Sequence, residues 1–314
     1  MKKKLIIAAA AMTRKKKSAE PEEKKKVVAF TNPKKKRPAA TSKPPTKRAA
    51  GAPTAFGKQS QKGDFKPKIE KNIHLEDGDT PLNKYLAHSG ICSRRKAVEL
   101  IANGLVLVNN LPITEPSYRV QPADVVTHQG NLVQPNTRRI YVLLNKPKDT
   151  ITTASDERGR KTVMDIVNKT IKERIYPVGR LDRETTGLLL LTNDGDLAEK
   201  LSHPRHQVKK AYHAELDKAL TQQHLLQIQA GLDLEDGKII VDSIGYVDGK
   251  KKTEVGIEIH SGKNRIVRRI FEHLGYEVLR LDRTYYAGLT KKDLPRSAYR
   301  SLTEREIVML KHFT

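Results

Sequence analysis

The stretch PVGRLDRETTGLLLLTNDGD, residues 177–196, places the carboxylate of Asp182 between two arginines and directly before a strongly apolar run. The run TTGLLLLTND predicts a buried strand, which the turn-forming sequence NDGD closes. An aspartate in front of a strand is ordinarily a turn or capping residue. Asp182 is therefore either structural or a reactive group at the edge of the core, and the rest of the chain has to distinguish these two interpretations.

Strands and helices follow one another in no regular β–α–β order around this stretch. The sequence RIYVLLNKP predicts a buried strand that ends at Pro147, since proline cannot donate to a neighbouring strand. Two short helices are predicted for KTVMDIV and DLAEKLSHP, and a longer one, NRIVRRIFEHLGY, ends at Gly275. The segments KAYHAEL, KIIVDSIGYV and TEVGIEIH alternate apolar and polar residues, as half-buried strands do. We therefore predict an α+β domain over residues 137–314.

A smaller α/β unit with a helix pair is predicted for residues 80–136. In PLNKYLAHSGICSRRKAVELIANGLVLVNN, residues 81–110, Ser93 is placed to cap a second helix whose apolar residues recur at helical spacing. LVLVNN and DVVTHQG then predict short strands. A solvated face without a ligand is one interpretation of the polar side of the helix pair. The other is a binding surface, formed by Lys84, Arg94, Arg95 and Lys96.

The first 79 residues repeat lysine clusters between Pro, Ala, Thr and Ser, with few large apolar residues. Such a composition cannot offset the entropy lost on folding, so we expect a disordered Lys-rich tail over residues 1–79. The whole chain carries a formal net charge of +24 at pH 7, which indicates a polyanionic partner. A membrane surface would meet the same electrostatic requirement, but no amphipathic or lipidated segment is evident, so a membrane partner is not expected.

The single cysteine, Cys92, excludes an intramolecular disulfide and argues against a zinc site. No apolar stretch approaches the roughly 20 residues that span a bilayer. The opening residues MKKKLIIAAAAMTRKKK contain an apolar stretch of only 8 residues, Leu5 to Met12, which more basic residues follow at once. An exported protein is therefore not expected, and we predict a cytoplasmic location.

The spacing LNKYLA-SGICSRR-A-ELI--G-V-VN resembles the S4 domain, which grips structured RNA through its helix pair. This resemblance implies an S4 RNA-binding domain over residues 80–136. Pro81 and Asn110 depart from the family pattern, in which arginine and glycine are usual. Both departures put individual RNA contacts in doubt rather than the fold.

Three segments, GRLDRETTGLLLLTNDG, KKAYHAEL and SGKNRIVRRIFEHLGYEVLRL, follow in the order of the catalytic motifs of bacterial ribosomal-RNA pseudouridine synthases. Together with the S4 pattern they resemble the RsuA/RluB/RluE/RluF group, which implies a mixed-sheet catalytic domain over residues 137–314. The last segment is nearer the large-subunit form of this group. The expected partner of a monomer is therefore 23S ribosomal RNA, free or in a pre-ribosomal particle, with 16S ribosomal RNA as the alternative.

Isomerising uridine breaks a C–N glycosidic bond, rotates the uracil and forms a C–C bond from the ribose to C5. Nothing is oxidised and no water is consumed, so neither a cofactor nor a metal is expected. Bond breaking develops positive charge on the ribose, which an anionic carboxylate can stabilise or trap. By the resemblance, that carboxylate is Asp182, and Arg268 is the cation that keeps it ionised.

The resemblance also implies roles for residues around Asp182. Tyr212 would stack on the uracil and is also placed to take the C5 proton. Arg180 would fill the gap that an extruded base leaves, and Leu279 would form an apolar wall of the pocket. Contacts with the RNA are further expected from Lys210, Lys263, Arg265 and Arg269.

Two other classes of function are open. A non-catalytic S4-type ribosome-binding protein would use the S4 domain and the tail only, and it would have no need of Asp182, Tyr212 and Arg268 together. A hydrolase of nucleosides would need a second carboxylate or an activated water. Glu184 lies two residues past Asp182, but the family pattern gives it no role, and a surface position is the simpler interpretation.

Overall fold

The computed structural model describes residues 80–136 and 138–312. The predicted tail, residues 1–79, lies outside the described residues. Within the part of the chain that the structure describes, no helix is long and apolar enough to cross a membrane. Separate hydrophobic cores form within residues 82–133 and within residues 140–310.

A helix pair packs on short antiparallel strands in residues 80–136. Ser93 caps the second helix as predicted, because its Oγ accepts a 3.2 Å hydrogen bond from the backbone N–H of Lys96. Leu82, Leu86 and Ile101 are fully buried between the helices and the strands. The elements are β1 (Thr80–Pro81), α1 (Leu82–His88), α2 (Arg94–Ala102), β2 (Val106–Val108), β3 (Leu111–Pro112), β4 (Arg119–Val120), β5 (Val126–His128) and β6 (Asn131–Leu132). One sheet has the order β3-β2-β5-β6, and β1 pairs with β4.

A mixed sheet with helices against it makes up residues 138–312. Its strands and helices are β7 (Tyr141–Lys146), α3 (Met164–Val167), β8 (Tyr176–Pro177), β9 (Thr186–Thr192), α4 (Gly195–Ser202), a 3₁₀ helix (Pro204–His206), β10 (Lys210–Leu216), α5 (Gln222–Ala230), β11 (Leu232–Leu234), β12 (Gly237–Ile239), β13 (Ser243–Tyr246), β14 (Glu254–Ile259), α6 (Ile266–His273), β15 (Val278–Tyr286), β16 (Leu289–Thr290), β17 (Tyr299–Ser301) and α7 (Glu304–Lys311). The main sheet has the order β13-β14-β10-β15-β9-β7-β17, while β8 also pairs with β9 and β16 with β15. The strands β11 and β12 pair separately.

Strand directions confirm the predicted α+β class. Every pairing in the main sheet is antiparallel except that of β9 with β15, and the helices follow no regular β–α–β order. The long apolar run of β9 is buried on both faces because it lies in the middle of this sheet.

The parallel pairing of β9 with β15 forms a seam between two antiparallel halves of the sheet. It consists of two pairs in register, Thr186 with Asp282 and Gly187 with Arg283. Gly187 has a φ of +108°, and a Cβ at this position would collide with the backbone of Arg283. The close approach of the two strands therefore requires glycine here.

Some elements differ from the predictions. The segment KIIVDSIGYV forms two strands rather than one, because β12 pairs with β11 while β13 joins the main sheet. The helices α5 and α7 were not predicted. The start of α7 is a capping box in which Thr303 and Glu306 bond to each other's backbone N–H groups, a pattern visible in the letters TERE.

Candidate active site

A pocket opens beside the seam, where residues 178–182 meet the start of β10, the loop before α6 and the strand β15. Its volume is about 160 Å³. The wall combines a carboxylate, several cations and two phenols with a few apolar side chains. The polar and aromatic residues among its lining are Arg180, Asp182, Thr185, Ser202, Lys210, Tyr212, Ser261, Lys263, Arg265, Arg283 and Tyr286.

Asp182 lies in a turn that a buried lysine holds from inside. Lys146 ends β7 and is fully buried. Its Nζ lies within hydrogen-bond distance, 2.8–3.1 Å, of four backbone carbonyls, those of Pro147, Asp182, Arg183 and Thr185, among which its three N–H groups are shared. Burial lowers the pKa of Lys146 to about 8, against the opposing effect of the Asp182 carboxylate. One ammonium group thus fixes the backbone on both sides of the Asp182 side chain.

A threonine holds the same turn from the other side. The Oγ1 of Thr152 donates a 2.8 Å hydrogen bond to the carbonyl of Leu181 and accepts one of 3.3 Å from its N–H. The N–H of Thr185 closes the turn on the carbonyl of Asp182 at 3.1 Å. Among the described residues, the half-buried Asp182 carboxylate makes no ion pair. The backbone of Asp182 is therefore restrained while its carboxylate stays available.

Tyr212 projects from an irregular part of β10. It lies opposite Arg283 of β15, while its neighbour Ala211 lies opposite Tyr285, so Thr284 has no partner in the register. This is a β-bulge, which bends the strand and re-aims the side chains beside it. The half-buried Tyr212 ring packs against apolar residues of both halves of the sheet, at the edge of the pocket.

Arg283 brings a buried guanidinium group into the pocket wall. Its Nε donates a 2.8 Å hydrogen bond to the carbonyl of Leu188, and its Cζ lies 4.5 Å from the ring centroid of Tyr286. Its Nη2 is buried and has no hydrogen-bond partner among the described residues. Burial raises the pKa of Tyr286 to about 12, so this phenol stays neutral. The guanidinium group is thus oriented and has donor capacity left for an anion.

Lys210 begins β10 and adds a second restrained cation. Its Nζ donates hydrogen bonds to the carbonyls of Val208 at 2.9 Å and His260 at 3.0 Å. Burial, reinforced by the nearby Arg283, lowers the pKa of Lys210 to about 8.

The mouth of the pocket is basic. Arg180 and Arg265 are exposed, and Arg265 has a φ of +47° directly before α6. Lys263 donates a 2.7 Å hydrogen bond to the carbonyl of Asp236. A negatively charged chain that enters the pocket would meet these three cations before it reaches Asp182.

Comparisons with known proteins identify the family. A family model described as RNA pseudouridylate synthase matches residues 140–273, and an S4 domain model matches residues 80–126. The chain is 42% identical over 233 residues to the ribosomal large subunit pseudouridine synthase B of Bacillus subtilis (strain 168), across 73% of this chain and 95% of that protein. The chain belongs to the RNA pseudouridine synthase family.

Further similarities agree with this assignment. Over 244 residues the chain is 35% identical to the dual-specificity RNA pseudouridine synthase RluF of Escherichia coli (strain K12), across 75% of this chain and 80% of that protein. A crystal structure of a pseudouridylate synthase matches with a TM-score of 0.53 and 25% identity, across 73% of this chain and 99% of that one. The predicted membership of the S4-containing pseudouridine synthases is thereby confirmed.

In this pseudouridine synthase, Leu279 does not form the predicted wall of the pocket. Glu215 lies opposite Arg280 and Leu216 lies opposite Val278, so Leu279 is the extra residue of a second bulge in β15. Its side chain is 50% exposed and lies outside the pocket lining. The bulge shifts the alternation of the strand, and Leu281 lines the pocket instead.

Arg268 and Arg269 also lie outside the lining of the pocket. Arg268 is buried in α6, and its Nη1 donates a 2.7 Å hydrogen bond to the carbonyl of Val278 rather than pairing with Asp182. Arg269 forms a 2.8 Å ion pair with Asp236, which raises the pKa of its guanidinium group. The arginine that is both buried and part of the pocket wall is Arg283, which lies opposite Tyr212 in the register.

The basic residues of the S4 domain are in different settings. Arg94 and Arg95 are exposed and make no ion pair among the described residues. Lys96 pairs with Glu99 at 2.6 Å, and Lys84 pairs with Asp196 of the synthase domain at 2.9 Å. Lys84 therefore contributes to the junction of the two domains.

Two residues at this site were missed in the sequence. Lys146 stands out as a charged residue at the end of the apolar run YVLLN, where an unpaired charge would be costly. Arg283 follows the apolar residues of EVLRL, but its inward direction depends on the bulges of β15. Lys146 could have been detected from the pattern of residues, whereas Arg283 could be found only from the strand register of β15.

Proposed function

We propose that this protein converts a specific uridine of 23S ribosomal RNA to pseudouridine, with Asp182 as the nucleophile and the target base flipped out of its stack. The observation that carries the proposal is one pocket whose lining holds Tyr212, the buried Arg283, the half-buried Lys210 and a restrained Asp182 that makes no ion pair among the described residues. The large-subunit name of the Bacillus subtilis relative supports 23S over 16S ribosomal RNA.

Asp182 has the properties that the bond-breaking step needs. When the C1′–N1 bond of uridine breaks, the ribose gains positive charge and the uracil takes the electron pair. The Asp182 carboxylate stabilises this charge or traps it as a glycosyl ester. After the uracil rotates, C5 bonds to C1′ and Asp182 is released. The proton on C5 then leaves, and N1, which kept the electron pair of the broken bond, takes up a proton. The sum is an isomerisation without a net change in protons or electrons.

Tyr212 and the buried cations hold the uracil while it is free to turn. The Tyr212 ring offers a face for stacking, and its hydroxyl is a candidate acceptor for the C5 proton. The Nη2 of Arg283, which has no partner among the residues that the structure describes, can donate to an anionic uracil or to the target phosphate. Lys210 adds positive charge at the same wall.

The exposed residues at the mouth fit RNA entry. Extruding a base costs a few kcal/mol of lost stacking, part of which an inserted side chain recovers. We assign this role to Arg180, which lines the pocket two residues before Asp182. Lys263 and Arg265 are assigned to the flanking phosphates, and the cations of the S4 domain to a more distant part of the same RNA.

The alternative substrate is a different RNA. The similarity to RluF, whose name states dual specificity, favours a second target as the next candidate, with 16S ribosomal RNA as the first one to examine. The alternative of a non-catalytic ribosome-binding protein does not account for the polar pocket around Asp182.

The test is carbodiimide mapping of pseudouridine on both ribosomal RNAs from cells that carry the intact protein, Asp182→Asn or Glu184→Gln. Glu184 is a matched control because its exposed carboxylate pairs with Lys148 at 2.9 Å, two residues from Asp182. We expect one reverse-transcription stop in 23S ribosomal RNA to be lost in Asp182→Asn only.

A stop lost from 16S ribosomal RNA would keep the reaction and overturn the 23S assignment. Equal maps for all three proteins on both RNAs would contradict the proposed reaction on ribosomal RNA. If Glu184→Gln also lost the stop, the loss would not be specific to the Asp182 carboxylate, and the assignment of Asp182 as the nucleophile would be wrong.

A further inference from the structure

A second cavity lies at the junction of the S4 and synthase domains, apart from the Asp182 pocket. Its volume is about 420 Å³, within the range of small-ligand sites. One wall comes from α1 and the start of α2, and the other from residues 174–176 and the start of α4. We call it the junction cavity.

The two walls are joined by direct contacts. Lys84 Nζ lies 2.9 Å from Asp196 Oδ1 across the junction. On the S4 side, the N–H of Asn136 donates a 3.0 Å hydrogen bond to the carbonyl of His88 and holds the end of this domain against α1. Gly195 packs so closely that a Cβ there would lie 3.3 Å from Tyr176 Oη and 3.4 Å from His88 Nε2. The cavity is therefore a defined space between packed elements.

Two aromatic rings, Tyr176 and His88, face this space, with the methyl groups of Ala87 and Ala154 beside them. Burial, together with the positive charge of Arg139, lowers the pKa of His88, which favours the neutral imidazole. Burial also raises the pKa of the Tyr176 phenol. Neutral rings of this kind are the surfaces on which unpaired bases stack.

Each wall also carries an uncommitted arginine. Arg94 at the start of α2 and Arg174 on the synthase side are both exposed, and neither forms an ion pair or hydrogen bond among the described residues. A guanidinium group presents paired donors that match a phosphate. Two such groups that flank an aromatic, partly apolar cavity form a combination suited to a nucleotide.

We propose that the junction cavity binds one unpaired nucleotide of the RNA substrate, with its base on Tyr176 and His88 and its phosphates on Arg94 and Arg174. The proposal rests on the proposed function in that the ligand is part of the RNA being modified. The S4 and synthase domains then recognise one RNA jointly, at a position distant from the target uridine. Such a site selects RNAs by the spacing between an unpaired nucleotide and the modified base.

Binding is measured in the Asp182→Asn background, where turnover does not interfere, with transcribed 23S ribosomal RNA as the probe. Arg174→Gln is compared with Lys172→Gln, an exposed lysine two residues away that does not line the cavity. Tyr176→Leu is compared with Tyr176→Phe, which keeps the ring. We expect the dissociation constant to rise roughly tenfold for Arg174→Gln and Tyr176→Leu and to change less than about twofold for their controls.

Cross-linking gives the position directly. The same RNA, transcribed with 4-thiouridine, is irradiated on the protein, and cross-linked peptides are identified by mass spectrometry. We expect a cross-linked peptide that contains Tyr176, in addition to peptides of the Asp182 pocket. Thermal melting of each variant shows whether the junction is intact, and Arg174→Gln keeps the test decisive if Tyr176→Leu unfolds.

Equal dissociation constants for Arg174→Gln and Lys172→Gln, with no cross-link at residues 174–176, would overturn this proposal and leave the cavity a structural joint. Failure of the proposed function has a different outcome. It would appear as an absence of pseudouridine formation by the unmodified protein, whatever the effect of Arg174→Gln on RNA binding.

Discussion

Three buried or half-buried basic side chains around the Asp182 pocket and the exposed ones on the S4 helices are held in contrasting ways. Lys146, Lys210 and Arg283 are buried or half-buried, and each donates to backbone carbonyls. Arg94 and Arg95 on α2 are exposed and have no such partners among the described residues. A buried cation with fixed donors sets the geometry of the groups around it, whereas an exposed cation supplies attraction that salt screens. Substitutions in the buried set should therefore lower stability and turnover, whereas substitutions in the exposed set should lower RNA affinity.

The largest effect is expected for Lys146→Met. This change leaves up to four carbonyls without their donor and should cost about 3 kcal/mol of stability. The turn that carries Asp182 loses its internal support, and a displacement of about 1 Å is enough to reduce kcat roughly 100-fold. Denaturant unfolding and single-turnover kinetics measure the two consequences.

The matched control for this variant is Lys148→Met. Lys148 is exposed and, within the described part of the chain, its side chain pairs with Glu184 alone, so its loss should change stability by less than about 1 kcal/mol. If the two lysine variants were equally stable and equally active, the buried ammonium group would not be the support of the Asp182 turn.

A change in the exposed set should act on affinity alone. Replacing Arg94, Arg95 and Lys96 together by Gln should weaken RNA binding roughly 10- to 100-fold and lower the salt slope of log Kd by about 2 to 3. Turnover at saturating RNA should stay unchanged. The control removes the same charge from the hairpin Lys250, Lys251 and Lys252, at the opposite end of β10 from the pocket. If the S4 variant turned over more slowly at saturating RNA, the exposed cations would affect the reaction itself, which contradicts the contrast drawn here.

A smaller effect is expected for Thr152→Val, which removes the hydroxyl that bonds both backbone groups of Leu181. A loss of about 1 kcal/mol in positioning corresponds to a kcat lower by roughly five- to tenfold. Thr152→Ser should restore the rate because it restores the hydroxyl. Thr153→Val is the control, since the Thr153 hydroxyl bonds only within its own exposed loop. A rate for Thr152→Ser as low as that for Thr152→Val would refute the role of this hydroxyl.

The smallest effect concerns pH. Lys210 is charged below its pKa of about 8, so its contribution to RNA binding is present at pH 7 and is lost as the pH rises through that value. The affinity of the unmodified protein should therefore fall by a few-fold between about pH 7 and 9. Lys210→Gln should bind more weakly at pH 7 but show a flatter profile. Parallel profiles for the two proteins would assign the pH dependence to other groups.

Much of the molecule could be predicted from local patterns. The S4 helix pair follows from the Ser93 cap and the helical spacing of apolar residues, and β7, β9 and α6 follow from their apolar runs. The position of Asp182 at the edge of the core also follows from the letters alone. In all of these, the residues that determine the structure are close together in the chain.

The details of the pocket could not be predicted in this way. Leu279 and Leu281 have the same parity, so a regular strand would point both in one direction, but the bulge at Leu279 separates them. The same strand turns Arg283 inward. Arg268, which the motif predicted to pair with Asp182, donates to the carbonyl of Val278. Strand register depends on contacts between distant segments, and a motif does not contain it.

The parallel pairing at Gly187 has a consequence for the order in which the strands pair during folding. Thr186 and Asp282 are 96 positions apart, and their strands meet over only two pairs, so this contact closes a long loop for little local gain. The half of the sheet that carries Asp182 can pair β7 with β9 long before Arg283 arrives. The cost of closing this loop predicts that the pocket is completed after β7 and β9 have paired, so we expect a chain with most of its strands in place to lack the Arg283 wall and the activity that depends on it.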